Sequence, residues 1–230
     1  MSLAGIAVFK GLTDEARARL EQDGAVLEPR DGKEIFTQGE MADAVYAIVA
    51  GDGHVRIGAT DRHGKALMVE VFRAGEIFGE IGVIDHRPRS AAAVVEGRVK
   101  LLKIPGPVFL TALSAQPSLG EACSRLLAQR LRRTYELFQD ATFERLEVRL
   151  GRQVLYLMAQ GGRKTPSGTR LDQRFRQSDL ADLLGTTTRS IISILNAWRA
   201  AGLVSYDTER ALLTVRNADA LRAIVEQDWH

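Results

Sequence analysis

The sequence predicts an α+β chain in three parts: an N-terminal double-stranded β-helix (a β-roll), a long helix, and a C-terminal winged helix-turn-helix. Three observations predict it. Residues 25–104 hold short β-type runs broken by glycine-containing turns, the pattern of a barrel or sandwich. From Glu121 into the 140s the chain carries neither Gly nor Pro. Residues 178–200 read as helix, glycine turn and helix, with a hairpin pattern just beyond. The expected division is a roll over 1–116, the long helix over 117–145 and the winged helix-turn-helix over 146–230.

In chain order, Thr13–Gln22 is a short helix with Thr13 as N-cap and Leu12, Ala16 and Leu20 on one side. Strands follow at Val45–Val49, His54–Ile57, Leu67–Phe72, Ala91–Val95 and Val99–Ile104. The turns between and before them are Asp31-Gly32, Gly39-Glu40, Gly51-Asp52-Gly53, His63-Gly64 and Ala74-Gly75. Tyr46-Ala47-Ile48-Val49 is apolar on both faces, as expected where a sheet folds over on itself. Pro105 and Pro107 end the β region, and Pro117 suits the first turn of the long helix.

On that helix Leu127, Leu131, Thr134, Phe138 and Ala141 recur at alternating steps of four and three, a heptad seam that calls for a partner helix. An amphipathic helix packed on its own domain fits the same few heptads; a parallel homodimer is the favoured reading. Val148–Gln160 is a further helix, and residues 161–170 form a polar loop. Helices at 178–184 and 187–200 flank Gly185, and Gly202 stops the second. Leu203–Tyr206 and Leu212–Val215 make a hairpin, and Ala218–Gln227 closes as a helix.

Composition excludes several classes. The 230 residues are 45 % hydrophobic and 26 % charged, the balance of a globular chain with a real core. No apolar run approaches the roughly 20 residues of a membrane helix, and residues 1–10 lack the features of a secretory signal. A cytoplasmic location is the expectation. One cysteine, Cys123, allows neither an intrachain disulfide nor a four-cysteine iron–sulfur site. His54, His63, His86 and His230 are scattered without a His-x-His pair, which argues against a cupin-type metal enzyme. A haem site would need one of these histidines or Cys123, and a packed thiol is the plainer role for a cysteine on an amphipathic helix. No catalytic set is legible, so the chain is not expected to be an enzyme, and no covalent cofactor is expected. Charge is uneven: residues 149–189 hold 8 basic and 3 acidic side chains, an excess that permits nucleic-acid binding.

Residues 78–90, FGEIGVIDHRPRS, carry the first candidate site. Gly79-Glu80-Ile81-Gly82 can open a short helix, glycine lets backbone N–H groups approach an anion, and a helix start adds partial positive charge. Arg89 can neutralise a phosphate, with Ser90 as a second donor. Glu80 beside a phosphate needs a donor of its own, such as a ribose hydroxyl or an arginine. By themselves these residues equally fit a β-turn with an exposed ion pair.

The second candidate site is 178–200, SDLADLLGTTTRSIISILNAWRA. Ser178 suits an N-cap, Leu180, Leu183 and Leu184 share a face, and Ile191, Ile194, Leu195 and Trp198 face inward on the second helix. A plain αα-corner has the same outline. Against it stand the short donors and one arginine at the second helix's start (Thr186, Thr187, Thr188, Arg189, Ser190 and Ser193), the basic stretch upstream, and the hairpin that follows. Such a helix would enter the major groove of double-stranded DNA by its N-terminal end, Arg189 reaching guanine O6 and N7 while Thr187 and Ser190 meet phosphate.

Residues 34–104 resemble the cyclic-nucleotide-binding domain of the cAMP receptor protein/FNR (Crp/Fnr) superfamily. The likeness rests on Phe36-Thr37-Gln38-Gly39-Glu40, on Tyr46-Ala47-Ile48-Val49-Ala50-Gly51, and on the Phe78–Ser90 cassette followed by Ala91. It extends through Ser178–Val204 in the family's DNA-binding domain. The resemblance implies a cyclic-nucleotide-binding-like roll in which Gly79, Arg89 and Ser90 hold the cyclic phosphate and Glu80 the ribose, with Ile81 alongside. It places Thr134 at the base and Arg130 one turn earlier, where it could pair with Glu80. Cyclic AMP is the favoured allosteric ligand and cyclic GMP the second. Double-stranded DNA, a second copy of the chain and RNA polymerase are the implied partners. The chain departs from the family at Tyr135, where cAMP-responsive members carry serine, in a cassette one residue shorter, and at Arg189 and Ser193 in place of the usual DNA-reading glutamate and arginine. The operator is therefore expected to differ from the usual half-site. A same-fold regulator with another effector, or none, is the alternative.

Overall fold

The computed structural model describes residues 2–60, 66–171 and 173–226. The expected His63-Gly64 turn, together with His230 and the final residue of the closing helix, Gln227, lies outside them. The chain divides into two compact units, Met1–Arg132 and Arg133–His230.

In the first unit α1 (Asp14–Asp23) is capped by Thr13, whose hydroxyl accepts from the Ala16 N–H. Eight strands follow: β1 (Ala25–Leu27), β2 (Glu34–Phe36), β3 (Ala44–Gly51), β4 (His54–Thr60), β5 (Ala66–Phe72), β6 (Ile77–Phe78), then, after α2 (Glu80–Ile84), β7 (Ala92–Glu96) and β8 (Val99–Pro105). They form two antiparallel four-stranded sheets, ordered β1-β8-β3-β6 and β2-β7-β4-β5. After β8 come α3 (Gly106–Ala115) and α4 (Pro117–Phe143), each with a proline in its first turn. β1 and β2 sit where the sequence pattern marked no separate element. Three residues offer too short a window for alternation to register.

The two-faced apolarity of β3 has a specific cause. Successive strand residues point to opposite faces. Tyr46 and Ile48 enter a core between the sheets with Phe36, Val55, Phe72, Phe78, Val95 and Leu101. Val45 and Ala47 face the other way, into a second core with Leu102, Ile104, Phe109, Leu119 and Cys123. The sheet thus folds against its partner sheet on one side only; helices cover the other.

In the second unit α5 (Leu146–Gly161) leads into β9 (Gly162–Thr165) and β10 (Gly168–Leu171). Next come α6 (Gln177–Leu184), α7 (Thr188–Ala200), β11 (Val204–Asp207), β12 (Leu212–Val215) and α8 (Ala218–Glu226). The four strands make one antiparallel sheet, ordered β11-β12-β10-β9. This corrects the expectation of a loop over 161–170. The segment lacks apolar alternation, yet β10 adds to the edge of β12 through Thr169↔Val215 and Arg170↔Thr214. Tertiary pairing supplies what local propensity withholds. Trp198 is buried on α7 and donates its indole N–H to Glu147 at 2.8 Å, fixing α7 against α5.

Candidate functional site

The cassette lies where β6 ends. Gly79 takes a left-handed conformation, φ +79°, and a Cβ there would come within 2.8 Å of Arg89 Nη1; only glycine meets both demands. Gly82 permits the return of the loop, since a Cβ on it would strike the Arg87 carbonyl and Ala42. The return strand is then tied to the β2–β3 turn: the Gly39 N–H donates to the Arg89 carbonyl (2.9 Å) and the Arg89 N–H to the Glu40 carbonyl (2.7 Å). Glu40 steadies that turn by accepting from the Thr37 N–H at 3.0 Å.

This folding buries Arg89, which is 4 % exposed. Its Nη1 donates to the Gly79 carbonyl (2.6 Å); its Nη2 donates to the Ala44 carbonyl (2.8 Å) and to Asp43 Oδ1 (3.2 Å). The guanidinium stacks 4.1 Å above the Phe36 ring. Among the described residues nothing accepts from its Nε, although that atom is buried. The reading of residues 78–90 as a turn with an exposed ion pair is therefore excluded. A cation is held inside the roll, and one of its donors is unused.

Glu80 is also buried, and its Oε1 accepts from Arg130 Nη1 at 2.5 Å. Arg130 Nη2 donates to the Ile77 carbonyl (2.7 Å), and its guanidinium lies 4.3 Å over Phe72. Phe36, Tyr46, Phe72 and Phe78 form one aromatic cluster, with Tyr46 and Phe78 stacked at 5.2 Å. The cluster carries Arg89 on Phe36 and Arg130 on Phe72. Gly79, Glu80, Arg89 and Arg130 are thus brought together, while Ile81 and Ser90 sit at the exposed rim. Thr134 and Tyr135 lie on the part of α4 that belongs to the second unit, both exposed.

Asp43 and Lys103, joined at 2.6 Å, were not legible as site residues. Asp43 reaches Arg89 across 46 positions of sequence, and no local motif marks that pair. Cys123 is buried, and burial first, then the Glu80 charge, pushes its thiol up to about 11. It is a packed thiol. Among the described residues no three His, Cys, Asp or Glu side chains converge as a metal site.

In the second unit α6 ends at Gly185, in the left-handed conformation, and α7 begins one short turn later. Thr187 is the N-cap of α7; its hydroxyl accepts from the Ser190 N–H (3.2 Å) and lies 2.9 Å from the Ser190 hydroxyl. Thr188, Arg189 and Ser193 are exposed beside them. Ile191, Leu195 and Trp198 are buried, and Ile194 is half-buried. Ser178 is not the N-cap expected of it. The cap is Arg176, because the Asp179 carboxylate reaches back to the Arg176 N–H at 2.7 Å. Ser178 is left exposed in the first turn.

A cyclic nucleotide-binding domain matches residues 27–116, and a Crp-like helix-turn-helix domain matches residues 148–224. The cyclic AMP receptor protein of Thermus thermophilus is 30 % identical over 205 residues, covering 88 % of this chain and 89 % of that protein. The CRP-like cAMP-activated global transcriptional regulator of Mycobacterium tuberculosis is 26 % identical over 224 residues, covering 96 % and 98 %. The structure of a CooA mutant from Carboxydothermus hydrogenoformans shares the fold, with a TM-score of 0.79 at 17 % identity over 96 % of each chain. Fold and domains together define a DNA-binding regulator that carries a cyclic nucleotide-binding domain. The chain belongs to the Crp/Fnr family of transcriptional regulators. Both of these relatives, matched over most of their length, carry the names of regulators and not of enzymes. Among the described residues no helix is long and apolar enough to cross a membrane.

Proposed function

We propose that this regulator is gated by a cyclic nucleotide, cyclic AMP before cyclic GMP, and acts on DNA as a homodimer. The observation that carries the ligand reading is Arg89: a buried guanidinium with its Nε donor unused, beside a glycine that admits close approach. An anion with planar acceptor oxygens suits that edge. The two relatives named above are called a cyclic AMP receptor protein and a cAMP-activated regulator, which favours adenine as the base.

In this reading Arg89, Gly79 and Ser90 hold the phosphate, with Ile81 beside them. Glu80, oriented by Arg130, accepts a ribose hydroxyl. Thr134 and Tyr135 of α4 meet the base, so the ligand acts on the helix that also carries the heptad seam. A ligand shifts an equilibrium between helix arrangements only by its difference in affinity for them. The productive arrangement sets two copies of α7 about 34 Å apart, one turn of DNA. Thr188, Arg189 and Ser193 then face base edges, while Thr187, Ser190 and Ser178 meet the backbone.

Isothermal titration of the purified protein with cyclic AMP and cyclic GMP tests the ligand. The expected result is micromolar or tighter binding of cyclic AMP, weaker binding of cyclic GMP, and loss of both in Arg89→Ala. Absence of heat and of thermal stabilisation with either nucleotide would retire the ligand and leave a family regulator with another signal.

A further inference from the structure

We propose that Asp43, with Lys103, sets the charge of the nucleotide site so that it selects a singly charged phosphodiester over a doubly charged phosphomonoester; this rests on the ligand reading above. The donors of Arg89 are unevenly committed. Nη1 faces the Gly79 carbonyl, Nη2 faces the Ala44 carbonyl and Asp43, and Nε has no acceptor among the described residues. Nε and Nη2 form the side edge of the guanidinium, the edge that can give two parallel bonds to a phosphate. Asp43 therefore occupies the approach that a phosphate would use. Its contact at 3.2 Å is the longest of the three Arg89 side-chain bonds.

Asp43 is held in place from behind. Its second oxygen accepts from Lys103 Nζ at 2.6 Å, on β8. Arg89, Lys103 and Asp43 thus form a contiguous cluster of two cations and one anion, leaving a single positive charge. Glu80 is paired with Arg130, and the Glu40 carboxylate accepts from the Thr37 N–H. Glu40 keeps its charge in every variant compared, so it does not enter the change of ratio on which the test rests.

One phosphodiester charge neutralises this cluster. A phosphomonoester, with a charge near −2 at pH 7, would bring a second negative charge that has no counter-ion and lies beside Asp43. Two like charges about 5 Å apart disfavour each other by a factor of about four at the dielectric of water and by more than about a hundred at an effective dielectric near 20. For the half-exposed Asp43 an effect of about tenfold lies between these limits. The cluster thereby separates a cyclic nucleotide from the 5′-monophosphate of the same nucleoside, which shares its base and sugar.

The test is the ratio of dissociation constants for 5′-AMP and cyclic AMP, measured by competition in wild type, Asp43→Asn and Lys103→Met. Asp43→Asn is expected to lower that ratio about tenfold, mostly by tightening 5′-AMP. Lys103→Met is expected to raise it. General damage to the site would weaken both nucleotides together and leave the ratio unchanged. An unchanged ratio in both variants, or movement in the same direction, overturns the proposal. Should Asp43→Asn fail to fold, Lys103→Met decides alone, since its side chain is partly exposed and outside the packed core. Wild-type binding of cyclic AMP with unmoved ratios sinks only the role of Asp43. Absence of cyclic-nucleotide binding in the wild type removes the ligand reading and this inference with it.

Discussion

Glu80 and Arg130 meet at 2.5 Å across 50 positions of sequence, the carboxylate wholly buried and the guanidinium resting on Phe72. The pair ties the first residue of α2 to the middle of α4. Arg130→Ala strands the buried Glu80 charge, and a loss of about 3–5 kcal/mol is expected. Urea denaturation measures it. Glu80→Gln added to that variant should recover part of the loss, because no ionised group is then left unpaired.

Helix α7 makes a prediction about sequence readout. Arg189 is exposed at the start of α7, beside a Thr187–Ser190 pair that caps the helix. Arg189→Ala should relax preference at one base pair by about 1–3 kcal/mol. Binding-site selection on randomised DNA provides the check. An equal loss on every sequence would assign Arg189 to the phosphate backbone instead.

The seam of α4 makes a prediction about assembly. Leu131 and Phe138 are exposed in the single chain, Phe138 to 68 %. Burying a phenylalanine is worth about 1.5–3 kcal/mol. Phe138→Glu should therefore weaken self-association at least about tenfold, read by sedimentation velocity over a concentration series. A variant that stays dimeric would place the homodimer contact elsewhere.

Glu96 predicts a pH dependence. The hydrogen bond from His54 (2.9 Å), joined by that from Arg56 (2.8 Å) against the opposing effect of burial, holds its carboxyl down to about 2. A folded-state value below the ordinary 4.5 means that ionised Glu96 stabilises the fold above about pH 4.5 and loses that contribution as the pH falls toward 2. Glu96→Gln should cost about 1–2 kcal/mol at neutral pH. Calorimetry from pH 7 to pH 3 should find the gap to wild type narrowing below pH 4.5. A gap independent of pH would show that packing, not charge, was lost.

Local chemistry made much of this legible in the sequence. The main strands, the glycine turns, Thr13 as a cap, the start of α4 at Pro117 and the glycine between α6 and α7 follow from rules that act within a few residues. The cassette was legible for the same reason: its glycines, glutamate and arginine are close in sequence. Ser178 shows the limit of such rules, since two residues compete for one helix start and the Asp179 carboxylate, reaching the Arg176 N–H, decides it.

What the sequence by itself determined was the fold class, the order of the main strands and helices, and the local turns at Gly79 and Gly185. Tertiary structure decided the rest. It turned 161–170 into a hairpin, because β12 offers β10 an open edge. It packed helices on the outer face of β3. It brought Asp43 and Lys103 to Arg89. The reason is physical: periodicity and turn chemistry act between neighbours, whereas strand pairing and the pairing of buried charge depend on groups dozens of residues apart that only the folded chain brings together.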